Sequence, residues 1–150
     1  MLNATFAAPG LTTFCNLDRL GLTVTGQHVD AHRATLECRV ADADDCCRGC
    51  GDQRRSLGTI PRRLAHEPFG GRPTTLLVRV RRYRCIACGR YWADDLRKAA
   101  QPRSKVSRGG LDWALRALVV DHLSVPRIAA GSGWRGIPRT TLSSRKATGG

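Results

Sequence analysis

The sequence predicts an α+β chain in which a small β-rich unit is followed by short helices. Three observations predict it. Two Cys-x-x-Cys-Gly units, Cys47–Gly51 and Cys85–Gly89, are separated by a basic, strand-like stretch. Apolar and polar residues alternate over 22–40 and again over 74–85, the period of half-buried strands. From Leu111 to Leu123 the apolar residues Leu111, Leu115, Leu118 and Val119 recur at helical spacing.

In chain order, Leu22 and Val24, then Leu36, Cys38 and Val40, mark the apolar faces of a β-hairpin that occupies an N-terminal segment, 1–45. The acidic run Ala41–Asp45 reads as a polar turn. The second unit, 46–93, opens on the first cysteine pair and turns at Phe69–Pro73, which holds two glycines and a proline. It then runs through a strand whose faces are Leu76, Val78 and Val80 against Leu77, Arg79, Arg81 and Tyr83. Residues 94–107 are polar, contain Pro102 and are expected to be a linker. Residues 108–130 are expected to form two helices, Leu111–Leu123 and Val125–Ala130, the second capped by Ser124 with Pro126 in its first turn.

Paired CxxCG units have a direct chemical reading. Each makes a tight knuckle whose backbone N–H groups face the sulfurs, and the glycine supplies the freedom the turn requires. Four thiolates fill a tetrahedral zinc shell closed to substrate. Cys47, Cys50, Cys85 and Cys88 are therefore expected to hold one structural Zn²⁺ in a zinc ribbon. Cys46 is expected to point away, with exchange for Cys47 as the alternative. Cys15 and Cys38 read as small buried hydrophobes. His28 and His32 are a weak pair that reads as surface residues, His66 and His122 lack ligand-spaced companions, and Tyr83, Tyr91 and Trp92 read as ribbon core. No thioredoxin-like βαβ context supports a redox role for the thiols.

Charge is unevenly placed. The 150 residues carry +13 overall, but residues 1–52 carry net −3 and residues 53–150 net +16. Such a surplus favours a polyanionic partner, chiefly nucleic acid. Arg62, Arg63, Arg72, Arg79, Arg81, Arg82, Arg84, Lys105, Arg108 and Arg127 are the candidate DNA contacts. No apolar run approaches the ~18 residues of a membrane span, and "MLNATFAAPGLTTFC" lacks the layout of a secretory signal. A cytoplasmic, nucleoid-associated protein is expected. Seven cysteines in that compartment argue for metal over disulfides. Adjacent Asp94 and Asp95 read as linker or helix cap. With no Ser-His-Asp context, P-loop or GxGxxG, the chain is expected to be a binding module and not an enzyme.

The segments "RRLAHEPFGGRPTTLLVRVRRYRCIACGRYW" and "SRGGLDWALRALVVDHLSVPRIAA", with the upstream CxxCG, resemble the N-terminal region of bacterial insertion-sequence transposases of the ISL-three family. The resemblance covers about residues 11 to 130. It implies a four-cysteine zinc-binding domain followed by a helix-turn-helix, double-stranded DNA at transposon ends as partner, and a role in DNA transposition. Cys47, Cys50, Cys85 and Cys88 match its zinc positions. The family's RNase H-like catalytic domain has no counterpart in this chain, so strand cleavage is not carried over, and the helix-turn-helix is partial. A homodimer is a possible assembly. The rival reading is a stand-alone zinc-ribbon adaptor that binds protein or RNA.

Residues 131–150 are expected to be a disordered or poorly packed, out-of-frame tail. Gly131, Ser132, Gly133, Gly136 and Pro138 oppose the third helix that a helix-turn-helix needs. When codons start at the third position of the existing ones, permissible choices spell L-G-V-A-W-N-T-A-N-D-A-V-L-A-E-G. That string resembles the family's recognition helix, so a frameshift near codon 130 is the expected origin, by decay, with a programmed slip to a truncated regulatory form as the alternative.

Overall fold

The computed structural model describes residues 10–43 and 46–133. The fold is α+β, a mixed five-stranded sheet with three short helices. Strands β1 (Leu22–Val29) and β2 (Ala34–Val40) form the expected antiparallel hairpin. Its turn is held by the Asp30 carboxylate, which accepts the N–H groups of His32 and Arg33. Strands β3 (Arg54–Phe69) and β4 (Arg72–Cys85) form a second, much longer hairpin. Gly70 and Gly71 reverse it, with φ of 58° and 72°, values that exclude most side chains.

The two hairpins are one sheet. β2 lies parallel to β4, with Leu36 beside Leu76 and Cys38 beside Val78, giving the order β1-β2-β4-β3. The sheet thus runs across the boundary drawn at residue 45. The register explains the join: the alternating apolar residues of β2 and β4 fall on the same face. Where β2 ends, β5 (Tyr91–Ala93) takes the same edge of β4, opposite Arg82–Arg84.

The apolar face is covered by the N-terminal segment. There α1 (Leu11–Phe14) and a 3₁₀ turn at Asp18–Leu20 deliver Cys15, Leu17 and Leu20 into the core. Leu17, Leu22, Leu64 and Leu76 are fully buried, each stabilising the fold by about 1.5–3 kcal/mol. Both Cys15 and Cys38 are core residues, and burial pushes the Cys38 thiol up to about 12.

The segment 94–107 differs from the linker expected of it. Leu96, Ala99 and Ala100 complete the core. Arg62 Nη2 donates to the carbonyls of Gln101 and Ser104 at 3.0 and 2.9 Å. Ala65 donates to Lys105 O and accepts from Ser107 N–H, so the chain runs alongside β3 before the next helix starts. Sparse apolar residues among polar ones concealed this packing, because no periodicity marks an irregular segment.

Helix α2 (Arg108–Val119) is capped by Ser107, whose Oγ accepts the Gly110 N–H at 2.9 Å. It docks on β3 through its small residues. A Cβ on Gly110 would lie 2.8 Å from the Ala65 carbonyl, and one on Gly109 2.6 Å from the His66 ring. Ala117 is buried, whereas Leu111, Leu115, Leu118 and Val119 are exposed. The helical spacing is as expected, but the leucine stripe faces away from the sheet.

Helix α3 (Val125–Ser132) starts at Ser124, which makes no side-chain cap bond, and carries Pro126 in its first turn. It runs two residues beyond the expected end. Gly131 gives way to the Trp113 ring, which a Cβ there would meet at 3.0 Å. Gly133 closes the helix at φ 64°, where a Cβ would lie 2.8 Å from Pro73. Gly131–Gly133, expected in an unpacked tail, thus belong to the fold. The expectation for the rest of the tail lies outside the described residues. No helix among the described residues is long and apolar enough to cross a membrane.

Candidate metal centre

The distal half of the β3–β4 hairpin carries the cysteines away from the apolar core. β4 ends at Cys85, the turn Cys85–Cys88 leads into β5, and Cys47–Cys50 forms a matching turn before β3. An isolated bridge between Cys46 and Gln53 closes the first turn, and a bond from Ile86 N–H to Gln53 O ties the second turn to it. Gly51 and Gly89 both have φ 73°, so the repeated glycine is required by the backbone of each turn.

The four sulfurs Cys47, Cys50, Cys85 and Cys88 lie within 4.8 Å of one another. Cys47 Sγ is 3.6 Å from Cys88 Sγ, and Cys50 Sγ is 3.3 Å from Cys85 Sγ. A tetrahedral zinc shell with Zn–S near 2.3 Å has sulfur–sulfur edges of roughly 3.8 Å, so the cluster is compatible with zinc. Cys46 is exposed and stands outside the cluster.

Backbone dipoles prepare the site for thiolates. Gly49 N–H donates to Cys47 Sγ at 3.4 Å, and Cys88 N–H to Cys85 Sγ at 3.5 Å. The N–H groups of Cys50 and Gly49 pull Cys47 down to about 6, and that of Cys88 lowers Cys85. At Cys50 the Asp52 N–H also favours the thiolate, but the neighbouring sulfurs, Cys85 foremost, outweigh it and push the thiol up to about 12. Four thiolates this close repel one another, and a divalent cation at their centre reverses that balance.

A second buried node braces the same end. Asp94 receives Arg81 Nε at 2.7 Å, the Arg81 N–H at 3.1 Å and the Tyr83 hydroxyl at 2.7 Å. Arg81 Nη2 also reaches the Val40 carbonyl at 2.8 Å. Burial, reinforced by Asp94, raises the Tyr83 hydroxyl to about 12. Trp92 packs 5.6 Å from the Tyr83 ring, and Arg54 lies over it at 4.6 Å. Asp94 is therefore neither linker nor helix cap. Its role was invisible in sequence because its partners come from β4 across 11 and 13 residues.

The candidate DNA contacts separate into groups. Arg62 and Arg81 are committed to internal carbonyls and to Asp94, and Arg108 Nε donates to Arg97 O at 2.7 Å. Arg72 is half-buried at the hairpin turn, with its Nε enclosed. Arg79 is exposed beside Glu37 at 3.5 Å. Arg63, Arg82, Arg84, Lys105 and Arg127 are exposed. Strand alternation places Arg82 and Arg84 on one face with Arg55, which pairs with Arg84, while Arg63 and Arg79 share the opposite face. Tyr91, expected in the core, is 64% exposed with the Arg84 guanidinium 5.3 Å above its ring. Arg90 is a basic neighbour of this cluster that was not among the candidates.

His66 was read as bland and is not. It is 1% exposed, and its Nδ1 lies 2.6 Å from Ser107 Oγ, the cap of α2. Its Nε2 is buried without a hydrogen-bond partner in the described residues, with Glu67 Oε1 at 4.0 Å. Burial lowers its pKa to about 4 against a weaker opposing effect of the Cys15 backbone, so the ring is neutral at pH 7. A lone histidine before a Glu-Pro pair gave no sequence signal for this contact.

Comparison of the chain with protein-family models, curated proteins and solved structures finds no match.

Proposed function

We propose that this chain is a zinc-dependent DNA-binding module of a protein that moves DNA segments. On this reading the cysteine-bearing end is a zinc ribbon and α2–α3 is the start of a helix-turn-helix. The observation that carries the reading is a rigid four-sulfur cluster whose surroundings are arginine-rich, in a chain with +16 over residues 53–150. The sequence resemblance supplies the class of DNA, the ends of a mobile element. One zinc ion closes the ribbon and does no chemistry on the substrate. Arg63, Arg82, Arg84, Lys105 and Arg127 contact phosphates. Arg62, Arg81 and Arg108 serve the contact indirectly, by fixing the segment 94–107 and α2 on the sheet.

A second reading draws on a different observation. The exposed stripe of Leu111, Leu115, Leu118 and Val119 suits a protein partner, as an adaptor would need. A salt series on duplex DNA separates the two. Six to ten phosphate contacts predict that affinity falls by roughly 10³–10⁵ between about 50 and 200 mM salt. Chelating the metal abolishes binding in the same assay, because ligation energy is folding energy at such a site. Weak, salt-insensitive duplex binding by the zinc-loaded chain rules the DNA reading out.

A further inference from the structure

The two cysteine turns have the same backbone but different tips. The first, Cys47-Arg48-Gly49-Cys50, presents an arginine and a glycine; the second, Cys85-Ile86-Ala87-Cys88, presents an isoleucine and an alanine. Ile86 is 69% exposed and belongs to no core cluster. Packing therefore does not account for an isoleucine where the sister turn carries arginine. It is also held firmly. Its neighbour Cys85 is buried, its own N–H bonds to Gln53 O, and the Cys85 N–H bonds to Arg90 O.

Arginines flank this apolar tip on one side. Arg55 and Arg84 line, with Cys85–Gly89, a recess of about 500 Å³ beside it. The Arg84 guanidinium is placed between Gly89, whose added Cβ would lie 3.7 Å from Nη2, and the exposed ring of Tyr91. The Arg90 guanidinium crosses to the first turn, where a Cβ on Gly49 would meet it at 3.1 Å. An exposed branched side chain on a hydrogen-bonded turn, with arginines beside it, has the chemistry of a DNA wedge. The cations hold the phosphates on either side while the apolar group enters between base pairs.

We infer that Ile86 is a minor-groove wedge that partly unstacks one base step of duplex DNA and bends it. The inference rests on the DNA-binding reading and adds a mode to it: Arg55, Arg84 and Arg90 position the turn across the minor groove, and Ile86 opens the step. Pyrimidine–purine steps, TA above all, unstack most easily and are the preferred target. Specificity then arises from the ease of deformation, without a hydrogen bond to a base edge.

The test uses the full zinc-loaded chain and a duplex of about 25 base pairs, long enough to report a bend. The duplex carries a central TA step flanked by 2-aminopurine, with a donor and an acceptor dye at its ends. Wild-type protein is expected to raise 2-aminopurine fluorescence and to shorten the end-to-end distance by a bend within about 20–90°. Ile86→Ser should keep one zinc per chain and the same salt dependence, with affinity changed by roughly tenfold at most, yet lose both signals. Ile86→Leu should restore them. Ile86→Ser protein that bends the duplex as the wild type does overturns the wedge. So does wild-type binding with no bend and no fluorescence change, which leaves the DNA-binding reading standing. If the wild type binds no duplex, or prefers an A-form RNA duplex, both fall.

Discussion

The sharpest consequence at the scale of single residues concerns His66. Buried and neutral, it contacts the cap of α2 through Nδ1 and has no partner at Nε2 among the described residues. Its pKa is about 4 in the folded chain against 6.5 for an ordinary histidine. Between those values the unfolded chain binds a proton that the folded chain refuses. Stability is therefore full above about pH 6.5 and falls as the pH drops toward 4. Denaturant unfolding at pH 7 and pH 5 should show the wild type losing about 2 kcal/mol more than His66→Gln. Acid release of metal affects both proteins alike, so the difference isolates the imidazole. Equal losses would show that His66 is solvated in the native state. The four clustered cysteines stood out in sequence because their spacing is local and repeated. His66, Asp94 and Arg81 did not, because each owes its role to partners on other elements.

Individual elements were legible to different depths. Strand alternation marks β1, β2 and β4, and helical spacing marks α2, because period is a property of consecutive residues. Which face packs is a different matter. The leucines of α2 invited a core assignment, yet Gly109 and Gly110 make the contact with β3, since only small residues allow so close an approach. Gly110→Ala tests this arrangement. Helix propensity alone favours alanine by about 1 kcal/mol. The 2.8 Å approach to the Ala65 carbonyl opposes it, and backbone on both sides cannot yield as a side chain would. The clash is expected to win, with a net destabilisation of about 1–3 kcal/mol in thermal or denaturant unfolding. Leu115→Gln, on the exposed stripe, should stay within about 0.5 kcal/mol of wild type. A stabilised Gly110→Ala protein would mean that α2 does not dock as described. Glycines 131 and 133 belong to the same lesson. As a string they oppose helix, but in place they fit against Trp113 and Pro73.

For the molecule as a whole, the parallel pairing of β2 with β4 was beyond sequence reasoning, because nothing local distinguishes a strand's parallel partner from its antiparallel one. It also sets the order of assembly. Leu36 and Leu76 sit side by side although some 40 residues of chain separate them, whereas β3 and β4 are joined by a two-glycine reversal. The long hairpin can zip from its turn, but β2 must find β4 across a wide loop. A metal ion clasping Cys47 to Cys85 would shorten that search. Measured through the clasp, the path from Cys38 to Val78 is roughly 16 residues, a saving in closure entropy of about 1 kcal/mol. An ion held by the four sulfurs would thus act on the speed of folding as well as on its endpoint. Refolding by rapid dilution should be several-fold faster when zinc is present from the start than when it is added after the hairpin has formed. Identical rates in the two orders of addition would mean that β2 docks before the clasp closes, and that the ion arrives as a late lock on a topology already reached.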